Sequence, residues 1–369
     1  MSPLAATQAV LWGGLAIGAL LGAAVQITGY CTMGALADYF SFGGRARLMM
    51  WVLAVAVAAP ATAAAAAIGW LDPTHCLAWA SRFTWLSYAV GGAVFGFGMV
   101  LASGCPQRNL VRAGGGNLKA LVVLLVAGLA AQMTLRGAFA GWRVGALDAA
   151  ALDLQTPQDL GSLLGRAAGF EPALVRLILL GLALAVAATL LWRERKTLEP
   201  SHWLGGLAVG LLVPLAWVLT GHIGFLAENP DTLEPAWMGT ASHRPEALSF
   251  VAPLAQGLDL LTLWSDRATV ASFGVMLALG VVLGSAASAL LRREFRLEGF
   301  RDAEDLANHL AGGLLMGFGG VTAAGCSIGQ GVSGLSLLSA GSVIAVAGIV
   351  GGSRAALAWQ GWRLERAPA

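Results

Sequence analysis

Three of the four cysteines stand within two residues of a glycine, in a chain that carries little charge, and they offer thiol chemistry. Two of them end a repeated phrase, Gly92 to Cys105 and Gly313 to Cys326, in which 8 of 14 positions are identical at an offset of 221. Cys31 follows the first apolar stretch. A thiol is a weak hydrogen-bond donor and a soft, polarisable acceptor. Several thiols at backbone breaks within a membrane therefore indicate a path for a soft, sulfur-like solute.

The residues around Cys105 predict a break between two helices. Gly104 permits a sharp backbone turn. Pro106 lacks an amide hydrogen and suits the first turn of a new helix. We therefore expect a short helix to begin after Cys105, with its free amides and positive dipole end available to an anion.

The second phrase predicts the same break. Gly325 precedes Cys326, and Ser327 and Gln330 follow it with a hydroxyl and a carboxamide. Gly29 stands just before the remaining cysteine. We expect these glycines and polar side chains to surround the thiols.

The composition identifies the broad class of protein. The 369 residues are 57% hydrophobic and 11% charged, whereas a soluble domain carries about 25% charge. A spanning helix needs roughly 20 apolar residues, and many uncharged stretches approach or exceed that length. We predict an all-α polytopic membrane protein with two further re-entrant or interfacial segments, 30–42 and 247–263. The nine predicted spans are 9–28, 48–70, 84–103, 119–140, 173–192, 203–220, 269–291, 309–325 and 337–358.

A second internal match extends the repeat. Residues 13–29 and 205–221 share 9 of 17 positions at an offset of 192. We therefore expect a single transmembrane domain over 1–369, divided into a first repeat (1–170), a connecting helix (171–200) and a second repeat (201–369).

Basic residues predict the orientation of this domain. They follow each odd-numbered span, so we expect the N-terminus outside and the C-terminus in the cytoplasm. The two repeats are then inverted, as in many secondary transporters. Most tryptophans, Trp51 among them, fall near span ends, as an interfacial belt predicts.

Other uses of the cysteines are weaker hypotheses. A free cysteine often only fills space in a core. A metal site is disfavoured because the sequence has neither CxxC nor HxxxH spacing, and we predict no metal, no cofactor and no nucleic-acid partner. A catalytic thiol needs a positioned base, which the sequence does not place. Cys76 falls in a predicted outer loop, and we interpret it as incidental.

Three motifs together resemble the YeeE/YedE family of sulfur-compound transporters, whose best-known members take up thiosulfate. The motifs are GYCTMG at 29–34, SGCP at 103–106 and AGCSIGQG at 324–331. The resemblance covers nearly the whole chain, including the duplication and the number of spans. It implies an hourglass-shaped helical protein of the bacterial inner membrane, with inverted halves and a narrow waist.

The resemblance also implies the site and its partners. Three central cysteines of the family are thought to pass thiosulfate by S–H···S hydrogen bonds, and by motif these are Cys31, Cys105 and Cys326. The family often works with a small cytoplasmic sulfur-carrier protein of the TusA-like type. Some members belong to Sox-type sulfur-oxidation gene sets, and others are associated with selenium. The sequence does not separate these.

The main hypothesis is inward conduction of thiosulfate through a thiol-lined waist within membrane lipid. A membrane sulfurtransferase, in which a cysteine takes up sulfane sulfur as a persulfide, is the principal alternative. Transport of a selenium or other sulfur species, or a role as the membrane anchor of a sulfur-handling complex, also stays open.

Overall fold

Apolar helices make up most of the computed structural model, which describes residues 2–230 and 232–366. The outermost residues of the predicted domain, 1 and 367–369, lie outside the described residues. The helices are α1 Pro3–Thr28, α2 Thr32–Ala37, α3 Ala46–Ala67, α4 Trp85–Leu101, α5 Pro106–Gly114, α6 Leu118–Leu135, α7 Ala140–Trp142, α8 Leu160–Ala168, α9 Pro172–Glu194, α10 Pro200–Val218, α11 Val251–Thr262, α12 Phe273–Leu291, α13 Ala303–Thr322 and α14 Ala340–Arg366.

Short irregular elements connect these helices. The π-helical turns are Asp38–Phe42, Arg143–Leu147, Leu219–Ile223 and Gly329–Gly334, and the 3₁₀ turns are Pro73–His75 and Leu77–Trp79. The strands are β1 Arg82–Phe83, β2 Leu152–Asp153, β3 Phe225–Leu226 and β4 Ala236–Trp237. They form two antiparallel ribbons, β1 with β2 and β3 with β4.

The prediction of an all-α polytopic membrane protein is confirmed. Within the described residues, eight helices are long and apolar enough to cross a membrane. Each of the nine predicted spans is a helix, but α13, which covers most of the predicted 309–325, is not among the eight. Its first turns carry Glu304, Asp305 and His309, which make its start polar. The two predicted shorter segments correspond to α2 with its π-helical turn and to α11.

Glycine lets the long helices meet backbone to backbone. A Cβ added to Gly18 of α1 would lie 2.1 Å from the carbonyl oxygen of Leu277 in α12. A Cβ added to Gly352 of α14 would lie 1.9 Å from the carbonyl oxygen of Ala93 in α4. Small residues are the usual means of close helix packing in membranes, where no hydrophobic force drives helices together.

Helix pairing in the bundle is reciprocal. Helix α1 packs along α12, and α10 packs along α3. Helix α4 packs along α14, and α13 packs along α6, while α4 and α13 also contact each other. If spans 1–4 correspond to spans 6–9, the pair α1 and α12 corresponds to the pair α10 and α3. In the same way, the pair α4 and α14 corresponds to the pair α13 and α6. The inverted relation of the two halves stays a prediction.

The loops gather at two opposite faces. Face A consists of residues 68–84, 136–159 and 224–250. Its segments are joined by the β1–β2 ribbon and by ring contacts, among them His75 with Trp237 at 4.6 Å between centroids.

Face B consists of residues 43–45, 115–117, 195–199 and 292–302. Arg45 pairs with Glu194 at 2.8 Å, and the Leu118 amide donates to the Glu298 carbonyl at 2.9 Å. Face B holds many of the basic residues that were predicted to follow odd-numbered spans.

Candidate functional site

Each of the three cysteines lies buried where a short helical segment begins. Cys31 is the N-cap of α2, and the Gly34 amide donates to its Sγ at 3.2 Å. The Gly329 amide donates to Sγ of Cys326 at 3.4 Å. A cysteine in this position accepts an orphan helix amide in the way that serine usually does.

Cys105 occupies the same position before α5. It is the N-cap, and Pro106 is the first residue of the helix, as predicted from the sequence. The Arg108 amide faces its sulfur without completing a hydrogen bond. Cys31 and Cys326 both lie within electrostatic range of the Cys105 thiol. The fold thus brings together three thiols that are far apart in the sequence.

Two hydroxyl groups lie among these sulfurs. The Tyr30 side chain is almost fully buried, and its hydroxyl lies within electrostatic range of Cys31 and Cys105. The Ser327 hydroxyl faces the Cys105 thiol. The sequence motifs contain both residues, although the sequence predicts only Ser327 as a site residue.

The backbone turns differ from the expectation. Ser103 and Ala324 have φ of 54° and 53°, so the left-handed residue precedes Gly104 and Gly325 instead of being the glycine itself. The two turns are equivalent at the offset of 221. Gly29 does have a positive φ of 69° and ends α1. The predicted break is therefore present at all three places, but glycine supplies the left-handed conformation only at the first.

Hydrogen bonds from carboxamide side chains stabilise the two equivalent breaks. Asn109 Nδ2 donates to the Gly104 carbonyl at 2.8 Å. Gln330 Nε2 donates to the Ala323 carbonyl at 2.6 Å, and Ser342 Oγ donates to Gln330 Oε1 at 2.5 Å. The carboxamide of Gln330 therefore has a structural role besides any contact with a solute.

Several buried polar atoms near the thiols have no hydrogen-bond partner among the described residues. Those that can donate are Tyr30 Oη, Thr32 Oγ1, Trp51 Nε1, Gln107 Nε2, Arg108 Nη1 and Ser327 Oγ. Most buried polar groups in proteins are paired, so such a concentration marks a place where a partner is expected. The indole nitrogen of Trp51 is one of these unpartnered atoms and is buried beside Gly331.

A cavity of about 210 Å³ leads from face A toward the site. Glu246 and Leu77 line its outer part, and Gly329 and Gln330 line its inner part. Its volume is far above the space needed for one water molecule. We call it cavity A.

A smaller cavity lies on the other side of the segment 326–331. Thr32 of α2, Trp51 of α3, Ser327 and Gly331 are among its lining residues, and Leu48, three residues past face B, borders it as well. We call it cavity B. Residues of one short segment, 326–331, therefore border both cavities.

Ionic groups lie at the edges of this region. Arg112 Nη1 donates to the Ser103 carbonyl at 3.2 Å, and Arg47 pairs with Asp38 at 3.4 Å, near the start of α3. Across residues 2–230 and 232–366, no group of three or more His, Cys, Asp or Glu side chains could hold a metal ion. The chemistry available at the centre is that of thiols, hydroxyls and amides, together with the buried guanidinium nitrogen of Arg108.

The bundle and its buried polar centre define a multi-pass helical membrane protein with two cavities that approach one internal site. A family model described as "Sulphur transport" matches residues 27–355, and the chain belongs to that family.

Two curated relatives cover most of the chain. The thiosulfate transporter TsuA of Escherichia coli is 27% identical over 367 residues, which span 96% of this chain and 90% of the relative. The thiosulfate transporter TsuA of Spirochaeta thermophila is 25% identical over 341 residues, spanning 91% and 94%.

Proposed function

We propose that this protein takes up thiosulfate across the bacterial inner membrane, through a pathway that passes Cys31, Cys105 and Cys326. Two relatives that it matches over nearly their full length are named thiosulfate transporters. The observation that carries the proposal is the closeness of three buried thiols, since Cys31 and Cys326 both lie within electrostatic range of Cys105.

The solute enters cavity A and reaches Cys326 first. The amides of Phe250, Ile328 and Gly329 and the hydroxyl of Ser249 surround this sulfur, so the approach to it is rich in neutral donors. Cys105 comes next, and Cys31 lies toward face B. The barrier to be crossed is the segment 326–331.

Neutral donors suit a conduit for a dianion. Burying unpaired charge is very costly, so thiosulfate needs compensation in the membrane. Amides, hydroxyls and thiols supply it without holding the ion as firmly as lysine or arginine would, and conduction requires release as well as entry. The terminal sulfur of thiosulfate is a soft acceptor for the thiols. Sulfate lacks that sulfur, so discrimination follows from the same chemistry.

Face A is the outer side in this proposal, and face B is cytoplasmic. The basic residues on face B follow the bias of cytoplasmic loops. Arg47 and Arg112 then lie on the exit side of the thiols. A TusA-like sulfur carrier would receive the solute at face B. The two halves are inverted repeats that meet at the thiols, which is where such transporters place their sites.

Replacement of the cysteines tests the proposal. We expect Cys31→Ala, Cys105→Ala and Cys326→Ala each to reduce thiosulfate uptake in cells to background, because each removes one step of the thiol path. Cys76→Ala is the matched control, since Cys76 is equally buried but lies at face A with its thiol directed to the Asp72 carbonyl. Uptake that survives all three site replacements would contradict the proposal.

A further inference from the structure

The wall of cavity A contains a group that conflicts with the path of an anion. Among the described residues that line this cavity, Glu246 is the one with a formal charge at neutral pH, and that charge is negative. A carboxylate at this place repels a dianion that enters the cavity. We propose that Glu246 controls entry through its protonation: the anion passes while this carboxyl carries a proton and is excluded once the proton has left. The inference rests on the proposed function and adds a control of entry to it.

The backbone of Glu246 is held in place at the end of α10. Its amide donates to Thr220 Oγ1 at 3.0 Å, and Thr220 Oγ1 donates to its carbonyl oxygen at 2.6 Å. The flanking residues Pro245 and Ala247 line cavity A as well. These bonds tie the segment to the bundle and therefore keep the carboxyl at the wall of the cavity.

One oxygen of the carboxyl is available to a proton. The Ser242 amide donates to Glu246 Oε1 at 2.9 Å, whereas the Ala241 amide and the Ser242 hydroxyl face the carboxyl without completing a hydrogen bond. Oε2 thus has no donor among the described residues, and it is not one of the buried atoms that lack a partner, so water can reach it. A protonated carboxyl is a donor as well as an acceptor, so it can offer its O–H to the anion.

The surroundings of the carboxyl favour its neutral form. Burial raises the pKa of Glu246, and this effect outweighs the groups of residues 241 and 242, which favour the charged form. His243, exposed in the same loop, lies within electrostatic range and lowers that pKa when it is protonated. The other elements around cavity A present side chains that are neutral at ordinary pH, among them Tyr88 of α4, Trp217 of α10, Gln256 of α11 and Gln330. A change of pH near neutrality therefore acts on this wall through Glu246.

The pH dependence of uptake tests the inference. Full-length protein in liposomes is given ³⁵S-thiosulfate at equal pH inside and outside, and the membrane potential is clamped at zero so that no gradient contributes. Thiosulfate itself stays a dianion between pH 5 and pH 8. We expect wild-type uptake to fall about fivefold or more over this range, because the protonated fraction of a carboxyl decreases tenfold for each pH unit above its pKa.

Two replacements of the carboxyl separate its charge from its donor. Glu246→Gln carries a neutral donor of nearly the same shape at every pH, so we expect its uptake to be independent of pH and to exceed that of the wild type about fivefold or more at pH 8. Glu246→Ala lacks both the charge and the donor, and we expect uptake that is independent of pH but has a higher KM. The matched controls are Glu228→Gln and His243→Gln, which change exposed titratable groups of the same face and should keep the wild-type pH dependence.

The outcomes separate the inference from the proposed function. Wild-type uptake that does not change with pH, or a Glu246→Gln variant that keeps the wild-type pH dependence, would overturn the inference. Loss of the dependence in His243→Gln would also overturn it, because the titrating group would then be the imidazole. If the cysteine variants still abolish uptake at pH 5 in these cases, the thiol path stands without this control of entry. If the cysteine variants also retain uptake, both fail.

Discussion

At the scale of single residues, the site combines soft sulfur with neutral hydrogen-bond donors. The thiols of Cys31, Cys105 and Cys326 accept or face backbone amides, and hydroxyls lie among them. A catalytic thiol needs a base or a positive charge to activate the sulfur, and here Arg112 lies within electrostatic range of Cys31. In the described part of the chain no imidazole is recorded in contact with these thiols.

The sequence predicted the chemistry of this site better than its details. Cysteine next to a glycine break is visible in the motifs, and the structure has breaks at all three positions. The burial of the Trp51 indole nitrogen could not be predicted from the sequence, because a tryptophan near a span end normally indicates the membrane interface. Only packing of α3 against the chain around Gly331 turns its N–H inward. No sequence signal distinguishes an indole at the membrane interface from one whose nitrogen is buried in the bundle.

A residue-scale prediction concerns Glu246, which lines cavity A. Burial raises the pKa of its carboxyl, partly offset by hydrogen bonds from Ser242. A raised folded-state pKa means that this group contributes stability below its unfolded pKa near 4.3, and that this contribution is lost as the pH rises through the folded value. We expect the Tm of Glu246→Gln to exceed that of the wild type increasingly as the pH is raised from about 4 to 7.5.

The matched control for this prediction is Glu228→Gln. Glu228 is exposed in the same loop of face A, and its replacement removes the same formal charge. Scanning fluorimetry in detergent at several pH values measures both variants. A Tm difference for Glu246→Gln that stays constant with pH would show that the buried carboxyl does not ionise at a cost.

At the scale of elements, close glycine contacts set the positions of the helices. Helix α4 meets α14 at backbone distance, which fixes where α4 ends and the break before Cys105 begins. Because α4 also packs on α13, the two equivalent breaks at Ser103 and Ala324 are held in register. The geometry of the thiols therefore depends on the packing of helices that carry no site residue.

Two neighbouring glycines of α14 test this dependence. A Cβ on Gly352 would lie 1.9 Å from the Ala93 carbonyl oxygen, whereas a Cβ on Gly351 would meet nothing within 4 Å. We expect Gly352→Ala to cost about 1–3 kcal/mol through overpacking and to lower both the Tm and the uptake rate. Gly351→Ala should be neutral or slightly stabilising, since alanine is the better helix former. Equal thermal stability of the two variants would contradict the contact.

The helices themselves could be predicted because long uncharged stretches leave few other structures in a membrane. All nine predicted spans are helices, and the ends of most differ from the prediction by only a few residues. The polar start of α13 and the helix α8 between face A and α9 were harder to predict. Charged or glycine-rich residues at these places give no clear apolar signal, so their structure depends on tertiary contacts such as Arg176 with Asp159 at 2.8 Å.

At the scale of the whole molecule, two cavities border the segment 326–331. Loop residues of face A, Leu77 and Glu246 among them, line cavity A, whereas Leu48 near face B borders cavity B. The internal repeat predicted two related halves, and the reciprocal pairing of helices is the arrangement expected of them. The sequence could not predict the cavities, because their walls come from segments that are far apart in the chain, such as Thr32 and Val350 of cavity B, which are 318 residues apart.

The most direct test of the central claim follows both sulfur atoms of one solute. Purified protein in liposomes is given thiosulfate labelled separately at its two sulfurs, with the triple variant of Cys31, Cys105 and Cys326 to alanine as the control. We predict that both labels enter the lumen in a constant 1:1 ratio and that the triple variant admits neither. Retention of the terminal sulfur as a mass gain on one of these cysteines, with sulfite released and no intact ion inside, would contradict conduction and indicate a sulfurtransferase instead.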